Sequence, residues 1–144
     1  MNSPTVRSAN LQDSSRLAEL CTQLGYPSTA GQLTRRLPVL LERGDHAILV
    51  AEVNGSVSGW VHVHVSPTLE MDQIAELGGL VVDEAVRGQG VGKVLMGRAE
   101  DWARRNGCHE LWLRSNVTRK EAHRFYQALG YEIIKTSYTF RKHL

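Results

Sequence analysis

Between residues 87 and 93 the chain reads Arg87-Gly88-Gln89-Gly90-Val91-Gly92-Lys93, three glycines in five positions with a cation at each end. Glycine admits positive φ and leaves no side chain between a ligand and the backbone. The apolar run Ile74 to Val82 precedes the loop and an amphipathic pattern follows it, so the order is strand, glycine loop, helix start. The first N–H groups of such a helix have no partner within it. With the helix dipole they form a site for a phosphate or pyrophosphate, to which Arg87 and Lys93 can add charge-assisted contacts. A tight turn flanked by two surface cations is the competing reading of the loop alone. Two familiar nucleotide loops do not fit. Lys93 is followed by Val94 rather than by a hydroxyl that binds magnesium, and Gly88-x-Gly90-x-Gly92 lacks the dinucleotide spacing Gly-x-Gly-x-x-Gly.

A second group able to do chemistry lies in the run Ser56 to Val65. Alternation puts Trp60, His62 and His64 on one face and Val57, Gly59, Val61, Val63 and Val65 on the other. The aromatic face can line a pocket for a cationic amine, or it can be covered by a helix with its histidines satisfied by neighbours. No third ligand follows the two histidines, so no metal is expected. Glu70, Asp72 and Glu76 stand near the same edge, either drawing a positive substrate or simply solvated. Gly78-Gly79 in mid-strand is locally unfavourable and marks a bulge or the close approach of another backbone.

Periodicity and punctuation predict the elements that hold these residues. Thr5 to Ser8 is a short strand, and Asn10 caps a helix whose stripe Leu17, Leu20, Cys21, Leu24 ends at Gly25. Ser28 or Thr29 opens a second helix that carries Leu33, Leu37, Leu40 and Leu41 to Gly44, with Pro38 expected to kink or end it. His46 to Val53 and Ser56 to Val65 pair through an Asn54-Gly55 hairpin. Next come the strand Ile74 to Val82, a helix from Gly90 to Asn106, a strand from His109 to Ser115 and a helix from Arg119 to Leu129. Tyr131 to Lys135 and Ser137 to Lys142 close the chain as an antiparallel pair. The order predicts an α/β fold, a mixed and mostly antiparallel sheet flanked by four helices, in one domain over 1–144.

Read as Arg87-x-x-Gly90-x-Gly92 after Leu80-Val81-Val82-Asp83-Glu84, the loop resembles motif A of the GNAT family of N-acetyltransferases. The block Asn116, Ala122, Phe125-Tyr126, Gly130-Tyr131 resembles the family's motif B, and the likeness of element order spans nearly the whole chain, as in small single-domain bacterial members. The resemblance implies acetyl-coenzyme A as cosubstrate and direct transfer in a ternary complex to a primary amine. The acceptor would be a small amine (an aminoglycoside, a polyamine, an amino acid) or a protein amino terminus.

The same resemblance assigns the coenzyme to Leu80, Val81 and Val82, to Arg87, Gly88, Gln89, Gly90, Val91, Gly92 and Lys93, and to Asn116, Ala122, Phe125 and Tyr126. Its pantetheine arm would lie in a slot opened by a bulge at Gly78-Gly79. Glu76 matches the strand glutamate that serves as base in several members, a water relay being the alternative. Tyr126 matches the acid that protonates the departing thiolate, with a packing role as the alternative, and Asn116 either holds the coenzyme or caps a turn. Trp60, His62, Glu76 and Ser115 are candidate acceptor contacts. Pairing of sheet edges or carboxy-terminal strands into a homodimer is compatible with the family. Two other functions stay open: an acyl-coenzyme A sensor without turnover, and an acetyltransferase acting on charged transfer RNA.

Composition narrows these choices. At 144 residues the chain is long enough for one core burying about two-thirds of its unfolded surface. A net charge of +2, with 17 cations among 15 anions, argues against nucleic acid and against an acidic membrane surface. The polar amino terminus and the lack of any run near ~20 apolar residues point to the cytoplasm. There Cys21 and Cys108, without partner spacing, are expected to be reduced and to bind no metal.

Overall fold

The computed structural model of the chain describes residues 3–144, which fall into two compact units, one up to Arg114 and one from Ser115 to Leu144. In the first, strand β1 (Thr5–Ser8) leads to Asn10, whose side chain accepts from the Gln12 N–H while Asp13 accepts from the Asn10 N–H at 2.9 Å. This reciprocal cap starts a 3-10 turn, Leu11–Asp13, that runs into helix α1 (Ser14–Leu24) and ends at Gly25 with φ 106°. Helix α2 (Ala30–Leu41) opens on a Thr29/Gln32 capping box. Pro38 does not end it: the helix continues, and the Glu42 N–H reaches the Pro38 carbonyl at 3.0 Å. The missing donor falls in the last turn, where few bonds depend on it.

Strands β2 (His46–Val53) and β3 (Ser56–Ser66) meet at Asn54 and Gly55, both left-handed at φ 53° and 80°. Strand β4 (Ile74–Val82), a 3-10 turn at Glu84–Val86, helix α3 (Val91–Arg105) and strand β5 (Leu111–Trp112) complete the unit. The sheet runs β1-β2-β3-β4-β5, antiparallel except for the parallel β4–β5 pair. This is the mixed, mostly antiparallel sheet that the sequence predicts.

Both faces of the sheet are covered. Leu17 and Leu20 of α1 and Leu37 of α2 bury against Ile48, Val50 and Val81, with Trp60 packed beside them. On the opposite face α3 presents Val91, Leu95, Met96, Ala99 and Ala103, all buried. Each fully buried aliphatic side chain contributes roughly 1.5–3 kcal/mol. Gly59 lets α3 approach, since a Cβ there would stand 2.9 Å from the Val81 carbonyl oxygen and 3.1 Å from Leu95.

Two bulges set the register. Between β2 and β3 the partner of Ala51 is Gly59 and that of Glu52 is Val57, so Ser58 is extra. Between β3 and β4 the partner of His62 is Gly79 and that of Val63 is Leu77, so Gly78 is extra. A bulge bends its strand and raises its twist.

Two expected elements differ. The strand His109 to Ser115 is paired only at Leu111–Trp112, because β4 bends away at Gly78 and leaves later residues no ladder. In the second unit, helix α4 (Lys120–Ala128) forms and Gly130 takes φ 97°, but residues 131–144 form no strand pair. Their connection at Thr136-Ser137 has no turn-forming glycine or asparagine, and Ile133, Ile134, Tyr138 and Phe140 are exposed. A lone hairpin with no buried face is marginal.

The glycines give a test of packing with opposite signs. Gly59→Ala should lower stability by about 1–3 kcal/mol through overpacking. Gly97→Ala, within α3 and with no atom near its added methyl, should raise stability by roughly 0.5–1 kcal/mol. Chemical denaturation midpoints of the two variants decide both.

Candidate active site

Strand β4 carries the site because it has a neighbour on one side only for part of its length. It pairs with β5 at Ala75/Leu111 and Glu76/Trp112, and from Leu77 to Val82 no strand among the described residues pairs with it on that side. The bulged Gly78 stands where the two strands part. The free edge of Leu77 to Val82, including Leu80, Val81 and Val82, is thus able to accept an extended ligand as an added strand.

At the end of this edge lies the glycine loop. Gly88 and Gly90 are left-handed at φ 82° and 84°, with open space where a Cβ would be, while Gly92 falls in the first turn of α3 and has no positive φ. Gly90 is the N-cap of α3, and no side chain caps it. The N–H groups of Val91, Gly92 and Lys93 therefore have no partner inside the helix. Gln89 and Lys93 are exposed, and Arg87 folds back so that its Nε donates to the Val82 carbonyl at 3.1 Å. This leaves an uncapped helix start behind a loop without side chains, a geometry suited to phosphate oxygens.

The approach to the loop is braced by residues that the sequence reading did not single out. Arg16 of α1 pairs with Asp83, donates through Nε to the Val57 carbonyl at 2.7 Å and reaches Glu19 at 2.9 Å. Gln23, seven residues along the same helix, donates to Asp83 at 3.3 Å and accepts from the Glu84 N–H at 3.1 Å. Asp83 also accepts from the Ala85 N–H at 3.1 Å. The spacing of Arg16 and Gln23 was the available signal, since i and i+7 share a helix face.

On the α1/α2 face, Trp60 covers Gly79 and His62 covers Gly78: a Cβ at Gly79 would meet the Trp60 ring at 2.8 Å, and one at Gly78 would meet His62 Nδ1 at 2.4 Å. The paired glycines are thus room for two rings. Trp60 Nε1 is buried with no acceptor among the described residues, which costs about 1–3 kcal/mol. Glu76 is the cross-strand partner of His64 and accepts from Arg114 Nη1 at 3.2 Å. His46, on β2, completes this face with Nδ1 2.8 Å from His62 Nε2.

The second unit holds the remaining predicted residues. Asn116 Oδ1 accepts from the Thr118 N–H at 2.9 Å and from its hydroxyl at 2.8 Å, closing a turn before α4. Ser115 Oγ is buried without a partner among the described residues. Ala122, Phe125 and Tyr126 are half-buried on α4, and Tyr126 meets Phe125 and Tyr131 edge-on, with ring centroids at 5.1 and 6.0 Å. Burial raises the Tyr126 phenol above its ordinary range, against a smaller opposing effect of Arg119.

A family model described as the acetyltransferase (GNAT) family matches residues 14–131. The chain belongs to that family. The match spans the glycine loop and the second motif block, in line with the motifs. An uncharacterized N-acetyltransferase of Bacillus subtilis, YhdJ, is 43% identical over 127 residues, covering 88% of this chain and 85% of its own. An aminoglycoside N(6')-acetyltransferase type 1 of Stenotrophomonas maltophilia is 28% identical over 97% of this chain and 94% of its own. Two other curated relatives are matched over only about half of their own length, 42% and 52%. The structure of AAC(6')-Iy in complex with a bisubstrate analog, CoA-S-monomethyl-acetylneamine, superposes with a TM-score of 0.86 over 99% of this chain and all of that one, at 20% identity. That likeness is one of fold. Among the described residues no helix is long and apolar enough to cross a membrane, and no group of three or more His, Cys, Asp or Glu is arranged to hold a metal.

Charges in this GNAT-family chain give its stability a pH dependence of definite sign. The Ala85 N–H, and then Arg16, hold Asp83 below the usual carboxylate range, as the Arg7 guanidinium does for Asp13. Both contributions are full above the ordinary carboxylate pKa of about 3.9 and are lost as pH falls through the lowered folded values. His62 acts earlier. Burial first, then His46 and His64, push it down to about 4 from 6.5, so the unfolded chain takes up a proton that the folded one refuses. Melting temperature should therefore fall from about pH 6.5 downward. The fall between pH 6.5 and 4 should flatten in His62→Asn, and the fall below that in Asp83→Asn. Thermal melts across pH 3 to 8 check both.

Proposed function

We propose that the chain, acting as one domain in the cytoplasm, moves the acetyl group of acetyl-coenzyme A to the primary amine of a small acceptor by direct attack. One observation carries the reading: an uncapped helix start behind the left-handed Gly88 and Gly90 continues the open edge of β4. In this reading the N–H groups of Val91 to Lys93 hold the pyrophosphate, with Arg87, Gln89 and Lys93 around it, and the backbone of Leu80 to Val82 pairs with the pantetheine arm. Asn116, Ala122 and Phe125 belong to the same coenzyme site. Tyr126, kept protonated by its raised pKa, gives the leaving thiolate its proton.

The acceptor enters on the face of Trp60 and His62, where Glu76 draws its ammonium, and Ser115 adds a polar contact. Proton removal falls to Glu76 itself or to a relay; the Arg114 ion pair on Glu76 favours the carboxylate as an anchor. Aminoglycosides lead among acceptors because relatives matched along nearly their whole length carry that name, ahead of polyamines, amino acids and protein amino termini. Most of the rate comes from holding amine and thioester together beside fixed donors.

Thiol release from acetyl-coenzyme A across a panel of aminoglycosides, polyamines, amino acids and peptides tests this. Release with one acceptor class is expected. Arg87→Glu should raise KM for acetyl-coenzyme A by about tenfold or more, and Tyr126→Phe should lower kcat by about a hundredfold without abolishing it. Coenzyme binding with no release for any acceptor would turn the reading to an acyl-coenzyme A sensor. Release only with charged transfer RNA would move the acceptor to a macromolecule.

The exposed apolar side chains Ile133, Ile134, Tyr138 and Phe140 support a homodimer formed through the carboxy-terminal segment. Light scattering should give the dimer mass for the wild type and the monomer mass for Ile134→Lys with Phe140→Lys; a monomeric wild type would overturn it.

A further inference from the structure

Three imidazoles cluster on neighbouring strands. The His46 ring stacks on His64 with centroids 4.9 Å apart and planes 18° apart, and on His62 at 5.1 Å and 27°. Its Nδ1 lies 2.8 Å from His62 Nε2, so one of the two nitrogens carries a proton donated to the other. Asp45 Oδ1 is 3.8 Å from His46 Nε2, too far for a hydrogen bond but near enough to favour the His46 proton on that nitrogen. His46 Nδ1 is then the acceptor, His62 Nε2 the donor, and His62 Nδ1 bears an unshared pair.

That nitrogen is the atom nearest the missing Cβ of Gly78, 2.4 Å from where a methyl would be. It has no hydrogen-bond partner among the described residues, yet it is not one of the buried unpartnered atoms, so solvent reaches it. The free lone pair thus faces an exposed bulge at the point where β4 parts from β5.

We propose that His62 is the base of the reaction, taking the proton of the acceptor's ammonium at the Gly78 bulge, and that His46 passes it on toward Asp45 and solvent. This rests on the acetyl-transfer reading and gives its relay a route. The ammonium N–H bond breaks and a bond to His62 Nδ1 forms. The proton on His62 Nε2 moves to His46 Nδ1, and the proton on His46 Nε2 leaves to water at the rim beside Asp45. Both rings end neutral, and the amine has the electron pair with which it attacks. His46 on β2 and His64 on β3 are the titratable neighbours that act on His62, and both disfavour a lasting positive charge there. Arg43 and Asp45 act on the outer ring, His46. Glu76, opposite His64, is held by Arg114. The proton is thereby moved on instead of stored.

Two measurements on the full chain test the proposal. In long-range nitrogen-proton NMR of the wild type, His62 should be neutral at pH 7 with its proton on Nε2; a proton on Nδ1 would overturn the route whether or not the protein turns over. In pH profiles of kcat, His62→Asn should lose about a hundredfold near pH 7, with KM for acetyl-coenzyme A unchanged. The loss should shrink toward pH 10, where the amine sheds its own proton. His46→Phe, which keeps the ring stack, should lose less, and free imidazole should restore part of the rate to His62→Asn. Parallel profiles for wild type and His62→Asn would overturn the proposal while leaving acetyl transfer intact. No thiol release by the wild type with any amine would remove the transfer reading, and the base role with it.

Discussion

One extra residue, Gly78, sets the form of the whole candidate site. By adding a residue opposite the His62/Val63 step it bends β4, ends the parallel ladder to β5 after Glu76, and leaves the edge from Leu77 to Val82 open. A bulge costs ladder hydrogen bonds, so it persists only where the surroundings support it. Here they do: Gly59 lets α3 close on one face, and the rings of Trp60 and His62 fill the space above Gly79 and Gly78 on the other. Any side chain at Gly78 would meet His62. The glycine pair therefore serves two ends at once, opening an edge for a ligand and seating the aromatic face beside it.

The loop beyond that edge is held by a different means. Asp83 ends β4 and caps the following 3-10 turn, and Arg16 with Gln23 ties it to α1. An anion site made of backbone N–H groups has little specificity of its own, so its usefulness depends on being held in one place. The α1 clamp supplies that hold. Asp83 is held below the usual carboxylate range, so the clamp keeps its charge at neutral pH.

Much of this was legible in the sequence, and what was missed has a common cause. The Asn54-Gly55 turn, the caps at Asn10 and Thr29, the strand Ile74 to Val82 and the α3 start at the glycine loop all lie where local signals put them, because each is a short-range choice of backbone conformation. The bulge at Gly78-Gly79 was legible for the same reason. The bulge at Ser58 was not. Counted back from the hairpin without it, His46 would lie opposite Val63, on the far face; the extra residue moves it opposite His64. A single register shift that no local signal announces thus decides that three histidines cluster instead of two. The carboxy-terminal pair failed for the complementary reason: alternation in 131–144 signals strands, but alternation alone does not make a ladder, and those residues take no strand there.

The two halves of the site differ in how they depend on sequence. In the proposed reading the coenzyme side is made of backbone: left-handed glycines, an uncapped helix start and a strand edge, for which any apolar side chains of the right size at Leu80 to Val82 suffice. The acceptor side, in the same reading, is made of side chains on β2, β3 and β4, whose identities decide charge and room. A family built this way keeps one coenzyme and varies its acceptors, which fits a chain whose relatives share its fold at 20% identity. In this chain that face carries three imidazoles, those of His46, His62 and His64, a group that binds a cation poorly when protonated and takes its proton when neutral. On the proposed route, chemistry on that face follows the protonation of His62, and the loop has no part in setting it.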